Sequence, residues 1–444
     1  VESIADNAGV GLGVRVLHEG SWGFAATSDL TESEINACAD RAMDIARASA
    51  TTSHAPVTLD DREPQTGQWI SPREIDPFSV SLQDKIGLLT GACKRLKSDE
   101  RIRMAKGQIK AIQEKKFYID SEGADLYQDI LHCGASVAAI AENGDEVPTR
   151  SFPNSHDGDW AAAGYEWIQG LGLIENADQV REEVIALLTA PECPDETMDL
   201  ILVGPQLALQ IHESCGHPTE LDRALGTEIS LAGGSFMTPE RLGNLQYGST
   251  LVNLYGDATI PGALGTFGWD DEGVPGQKFD LVKEGQFVGD QTSRETAASM
   301  GQNSNGSMRA DGWSKIPLIR MTNINLAADP NGPTLEELIA DTKRGIIIEI
   351  NKSWSIDDLR LNFSFGGEQA FLIENGKKTT VLKKPVYTGI TPQFWGSCDA
   401  ICNEDNWRTY GVANCGKGQP MQIMRVAHGC SAARFKNVQV GRKK

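Results

Sequence analysis

Apolar and polar residues alternate with a period of two near the start of the chain. Val10 to His18 and Trp22 to Thr27 read as two strands, with Glu19-Gly20-Ser21 as the hairpin turn between them. The period then lengthens. Ile35, Cys38, Ala39, Ala42, Ile45 and Ala46 recur at helical spacing, and Thr31-Glu32-Ser33-Glu34 ahead of them reads as a capping box. Residues 55–75 hold several prolines and little periodicity, which predicts a linker. A second amphipathic helix over Ser81 to Leu96 leads into an alternating stretch from Ile102 to Ala141, interrupted at Ser121-Glu122-Gly123. That stretch predicts a multi-stranded antiparallel sheet. A helix over Ala177 to Leu188 closes this half, and Pro191-Glu192-Cys193-Pro194 marks a domain boundary.

The second half opens with a strand over Asp199 to Val203 and a helix over Pro205 to Cys215, with Pro205 tolerated in the first turn. Short strand-like runs and glycines follow, with one clear helix at Thr334 to Thr342. The pattern as a whole predicts an α+β fold. Residues 1–192 form a domain of antiparallel sheet and helices, divisible into 1–75 and 76–192, and residues 193–444 form a β-rich domain.

Composition narrows the classes. A formal net charge of -20 argues against a nucleic-acid partner or an anionic membrane surface, both of which favour basic faces. No apolar run reaches the ~20 residues of a membrane span. The first residues carry neither the basic nor the apolar segment of a secretory signal, although a chain beginning at Val1 can be trimmed relative to the native protein. Nine cysteines, an odd number without disulfide-framework spacing, fit a reducing, cytoplasmic setting.

The densest chemistry lies in His212-Glu213-Ser214-Cys215-Gly216-His217. Two imidazoles and a carboxylate are the raw material of a zinc hydrolase. In the familiar H-E-x-x-H pattern the histidines stand at i and i+4 on one helix face. Here they stand at i and i+5, about 140° apart on a regular helix. Either the helix is distorted or His217 lies beyond its end. Gly216 and Pro218 read as stop signals and favour the second arrangement, with His212 on the last turn and His217 on the turn that leaves it. A catalytic zinc usually has a third protein ligand. Cys215, Cys398, Cys402, Cys415, His428, Cys430 and many carboxylates are candidates. Cys415 stands in Asn414-Cys415-Gly416-Lys417-Gly418, where glycines permit close backbone approach and Lys417 would favour a thiolate. Trp269-Asp270-Asp271-Glu272 could hold a cation, but reads better as a solvated acidic turn.

Several segments, in order, resemble the TldD/PmbA metallopeptidase family. They are the H-E-x-x-x-H at 212–217, Gly301-Gln302-Asn303-Ser304-Asn305-Gly306-Ser307-Met308-Arg309-Ala310, Arg320-Met321-Thr322-Asn323, Cys415-Gly416-Lys417-Gly418-Gln419, and Ala433-Arg434-Phe435-Lys436-Asn437. The resemblance implies zinc on His212, His217 and Cys415, with Glu213 as the catalytic carboxylate. It also implies a cytoplasmic dimer, formed with itself or with a related subunit lacking the metal motif, acting on unfolded or small peptides. The family's older label as a gyrase modulator does not suit so acidic a chain. Two competing readings are a zinc amidase acting on a non-peptide substrate and a metal-stabilised binding subunit of a heteromer.

Overall fold

A computed structural model describes residues 1–53 and 55–442. The first hairpin pairs Leu12–His18 with Ser21–Thr27. Glu19 and Gly20 both take positive φ, 47° and 72°, the geometry that matches a tight turn to the twist of its strands. The helix Glu32–Ala50 lies on this hairpin through Cys38, Ala42 and Ala46. Gly23 permits the contact, because a Cβ there would stand 2.0 Å from the Ala42 carbonyl. The expected capping box at Thr31 does not form. Glu34 is drawn instead to Arg41, at 2.7 Å, and the Thr31 side chain makes no cap bond.

Residues 102–141 form one long antiparallel hairpin, Ile102–Ile119 against Asp125–Ala141, turning at the expected Ser121-Glu122-Gly123, and strands from outside this stretch make up the rest of a five-stranded sheet. Asp120 closes the hairpin by accepting the Glu122 and Ala124 amides, each at 3.0 Å. The linker expected over 55–75 contains a strand, Thr66–Ile70, that joins this sheet parallel to Asp125–Ala141. Too few apolar alternations lie between its prolines to show in the sequence.

Leu131, Cys133, Ala135, Val137, Ala139 and Ala141 form a core with the helices Leu82–Leu96 and Ala177–Leu187. Their neighbours Gln128, Ile130 and His132 are buried too. They face the second half of the chain, where Gln128 bonds the Trp269 carbonyl and Ile130 packs against Phe267. The sheet is thus covered on both faces.

The second half is built on a nine-stranded sheet. Glu196–Leu202 lies at its heart, antiparallel to Ala433–Val440 and parallel to Arg344–Ile348. Leu200, Leu202, Ile346, Ile348, Phe365 and Phe435 anchor the largest apolar core. The helix expected near 334–342 is present as Leu335–Asp341, with Thr334 and Glu337 in a reciprocal capping box. A separate hairpin, Arg408–Lys417 with Gln422–Cys430, carries Cys415. The fold is α+β, as the periodicities predict.

The acidic segment 269–272 is not a solvated turn. Asp270 and Glu272 are buried. Asp270 accepts the Glu272, Val274 and Met308 amides, while Glu272 pairs with Arg15 at 2.7 Å and accepts the Arg294 amide. These carboxylates organise loops and tie the first hairpin to the second half.

Candidate metal centre

The helix Gly204–Ile211 does not end regularly before the second histidine. It widens: the His217 amide donates to the His212 carbonyl at 3.0 Å, an i to i+5 bond that makes a π-turn of His212–Gly216. Such turns are costly and concentrate at functional sites. Both sequence-based alternatives therefore hold in part: the helix is distorted over His212–Gly216, and His217 caps its end and opens the turn over 217–219. Gly216 is a glycine for space, not for a left-handed turn: a Cβ there would stand 2.2 Å from the Met321 sulfur. Carbonyls displaced by the widened turn find side-chain donors. Tyr247 donates its hydroxyl to the Ser214 carbonyl at 2.9 Å, and Gln291 its amide to the Gly216 carbonyl at 2.7 Å.

The widened turn brings the two imidazoles together, with ring centroids 4.8 Å apart and planes nearly perpendicular. Cys415 arrives from the hairpin, its Sγ 3.7 Å from His217 Nε2. One ligand atom each from His212, His217 and Cys415 lie within 4.8 Å of one another, all buried. The other candidate ligands do not join them. Cys398 and Cys402 are buried thiols whose pKa values burial pushes up to about 12 and about 11. Cys215 and Cys430 are likewise fully buried and raised.

His428 meets the cluster from behind. Its Nδ1 lies 3.0 Å from the Ile324 carbonyl, which can only accept, so that nitrogen carries the proton. Burial holds His428 well below its ordinary pKa, so it is neutral and its Nε2 is an acceptor. His212 Nδ1, 2.8 Å away, must then be the donor, which leaves the His212 Nε2 lone pair free. Glu220 does the same for His217. Its carboxylate accepts from Nδ1 at 2.9 Å, and the Nε2 lone pair turns toward Cys415. Burial lowers the pKa of both His212 and His217, so both are neutral donors. These partners set tautomer and ring angle. His428→Ala should therefore weaken metal affinity by roughly 10–100-fold, the usual cost of removing such a partner. Competition with a chromogenic chelator measures it, and an unchanged affinity would rule out this orienting role.

Burial pushes the Cys415 thiol up, but His217 and Arg320 outweigh it and hold the pKa below its ordinary value. Arg320 is fully buried and also donates to the Cys415 carbonyl at 2.5 Å. Lys417, which the sequence suggested for this task, is spent elsewhere. It binds Asp222 at 2.7 Å, lies 3.5 Å from Glu220 and donates to the Ile319 carbonyl.

Glu213 is 5% exposed and pairs with Arg360 at 2.7 Å. Arg360 has a φ of 63°, a conformation that a non-glycine residue adopts at a cost. Asp357 holds that turn by accepting the Leu361 amide at 2.8 Å. Sequence reasoning noted Arg320 only as part of a family-like segment, without a role, and missed Arg360; both come from distant segments. Glu220 had a weak signal, three residues after His217, the spacing of neighbours on a helix.

Near the π-turn, Asp290 is buried with one carboxylate oxygen unpaired, and burial pushes its pKa up to about 8. The folded chain then holds a proton that the unfolded chain, with a carboxyl near 3.9, releases. This stabilisation is complete below about pH 4 and is lost as pH rises to about 8, by up to ~1.4 kcal/mol per unit. Asp290→Asn should accordingly flatten the decline in melting temperature between pH 5 and pH 8.5. Parallel profiles for the two proteins would refute the assignment.

Buried His212, His217 and Cys415 form a cluster compatible with a metal ion, beside the Glu213 carboxylate. Family models for the PmbA/TldA metallopeptidases match residues 1–46 (domain 1), 75–188 (central domain) and 196–442 (C-terminal domain). The chain belongs to this family. A metalloprotease of Methanocaldococcus jannaschii is 30% identical over 426 residues, covering 95% of this chain and 89% of the relative. A protein of Saccharolobus solfataricus named zinc metalloprotease TldD homolog is 22% identical, covering 97% and 90%. The fold is also that of TldE from Thermococcus kodakarensis, with a TM-score of 0.71 at 17% identity over 96% of this chain and 89% of that one. A Thermotoga maritima protein described as a modulator of a DNA gyrase gives a TM-score of 0.74 at 17% identity, covering 97% and 88%.

Proposed function

We propose that this chain is a zinc-dependent peptidase acting on unfolded or small peptides, with zinc on His212 Nε2, His217 Nε2 and Cys415 Sγ. The observation that carries the reading is the convergence of one ligand atom each from His212, His217 and Cys415 within 4.8 Å, with His428 and Glu220 engaging the Nδ1 of the two imidazoles so that each Nε2 is the nitrogen left for a metal. Two imidazoles and a thiolate suit zinc better than a hard cation. When bound, the zinc would acidify a water and polarise the scissile carbonyl. Glu213 is the group that takes the water's proton and returns it to the departing amine. Arg360 positions the Glu213 carboxylate through one oxygen. A thiolate ligand donates charge to the metal, so the activity should be modest and confined to accessible chains.

The part spanning 193–444 supplies every proposed ligand, and we assign 1–192 to shaping the substrate path and to dimer contacts. The TldE likeness supports pairing with a related subunit or with a second copy. The free, mostly buried cysteines support a cytoplasmic setting, and no described helix is long and apolar enough to cross a membrane. Elemental analysis of the purified protein tests the proposal. About one zinc per chain is expected, and a protein with its ligands intact that neither carries nor takes up zinc would refute it.

The Arg360 pair on Glu213 favours one competitor, a metal-stabilised binding subunit in which the carboxylate is a structural partner. Glu213→Gln separates the two readings.

A further inference from the structure

A small cavity with charged walls lies where the long hairpin of the first half meets the 258–275 segment and the Cys415 hairpin. Its volume is about 30 Å³. A buried water needs at least about 10–15 Å³ on this measure, so there is room for two small polar atoms. The charged walls are Arg309, Arg425, Lys116, Glu114 and Asp271, with His132 beside them.

The cations outnumber the carboxylates. Asp271 is already satisfied: one oxygen binds Lys116 at 2.7 Å and the other accepts the Ala310 amide at 2.7 Å. Glu114 makes no ion pair among the described residues, and neither do Arg309 and Arg425. Arg309 is 8% exposed and His132 6%. Arg309 Nε, Arg425 Nε and His132 Nδ1 are buried without a hydrogen-bond partner. The remaining contacts of Arg309 do not neutralise it. It donates to the Arg425 carbonyl at 2.5 Å and stands 5.3 Å over the Phe267 ring. Burial pushes its pKa down to about 9, with Arg320 and Arg425 adding to the effect. Asp271 and Glu114 attract Arg309 without pairing with it. A buried guanidinium without a contacting counter-charge is costly, and a carboxylate is the planar, two-oxygen partner that fits its fork.

The cavity flanks the metal centre. Met424, on its wall, is paired across the hairpin with Cys415, and Arg425 follows Met424. Arg320 links the two places. It donates to the Cys415 carbonyl and lies near enough to Arg309 to repel it.

We propose that this cavity is a carboxylate-binding site, held by Arg309 and Arg425, that anchors an acidic group of the bound peptide, either its C-terminal carboxylate or an acidic side chain. The identity of the ligand as a peptide rests on the peptidase reading; the carboxylate site itself does not.

Two measurements on the full chain test this. In the first, melting curves are recorded with acetate and with neutral acetamide at matched ionic strength. Acetate should raise the melting temperature of the parent protein, and the rise should disappear in Arg309→Gln and in Arg425→Gln. Arg425 is only partly buried, so its variant remains informative if Arg309→Gln misfolds. In the second, labelled peptides bind to the Glu213→Gln protein in matched pairs: free C-terminus against C-terminal amide, and internal Asp against Asn. One carboxylate form should bind at least about tenfold tighter, a ratio that collapses in Arg425→Gln. Whichever pair discriminates identifies the source of the carboxylate. If acetate acts as expected but neither pair discriminates, the anchoring of peptide is overturned. If acetate and both pairs show no preference while peptides are still cleaved, the carboxylate site falls and the peptidase reading stands. An arginine-dependent acetate effect in a protein that binds no peptide leaves the carboxylate site standing and counts against the peptidase reading.

Discussion

Glu213→Gln is expected to lower peptide hydrolysis by on the order of 10²–10⁴-fold, the contribution of a positioned proton-transfer group, while zinc content stays unchanged. The substitution keeps the shape of the side chain and its hydrogen bond from Arg360. It removes the capacity to take a proton. Glu213 lies outside the cluster of ligand atoms formed by His212, His217 and Cys415, so the amide should not disturb metal binding. The informative comparison is between kcat and KM. A lost base lowers kcat and leaves peptide binding nearly intact, whereas a lost structural contact would raise KM or release zinc. Full activity in the Gln variant would remove Glu213 from the reaction. An inactive parent enzyme with intact partner binding would favour the binding-subunit reading instead.

Arg360 makes the same experiment sharper. A carboxylate shared with a guanidinium is oriented but partly occupied. If Arg360 only positions the base, Arg360→Lys should retain part of kcat, because a charge remains without the fork geometry.

The sequence shows the kinds of group in this site more clearly than their geometry. Alternation from Ile102 to Ala141 announces sheet, yet a single long hairpin and several short strands share the same period. The burial of Gln128 and His132 depends on a neighbour more than a hundred residues away, as the contact from Gln128 to Trp269 shows. The histidines at 212 and 217 stand out by composition. Their spacing leaves the geometry open: the helical turn does end at Gly216, but it ends as a π-turn, and Gly216 is there to make room for Met321. Lys417 is close to Cys415 in sequence, but its charge is taken by Asp222 and Glu220. Arg320 is distant in sequence and is the cation that acts on the thiol. Residues that face the site from one contact further out are set by tertiary packing, and no local pattern marks them.

Removing the third proposed ligand should have the second large effect. Cys415→Ala is expected to leave roughly a tenth or less of the parent zinc content after dialysis, since two neutral imidazoles alone make a weak site. The same change should be felt in stability. The π-turn and the Cys415 hairpin are 198 residues apart in sequence, so a metal bound between them stabilises only the state in which both are assembled. A ligand held at a thousandfold its dissociation constant contributes about 4 kcal/mol. For a unit of this size that corresponds to a melting shift on the order of 10 °C. Chelation of the parent protein should produce this fall, and chelation of Cys415→Ala should produce almost none. The apo protein should nevertheless remain folded. The large apolar core does not depend on the metal, and Ile324, His428 and Glu220 hold the two imidazoles without it. Zinc bound at full occupancy in Cys415→Ala would remove the thiol from the ligand set. Equal melting shifts in the two proteins on chelation would place the stabilising metal at a different site.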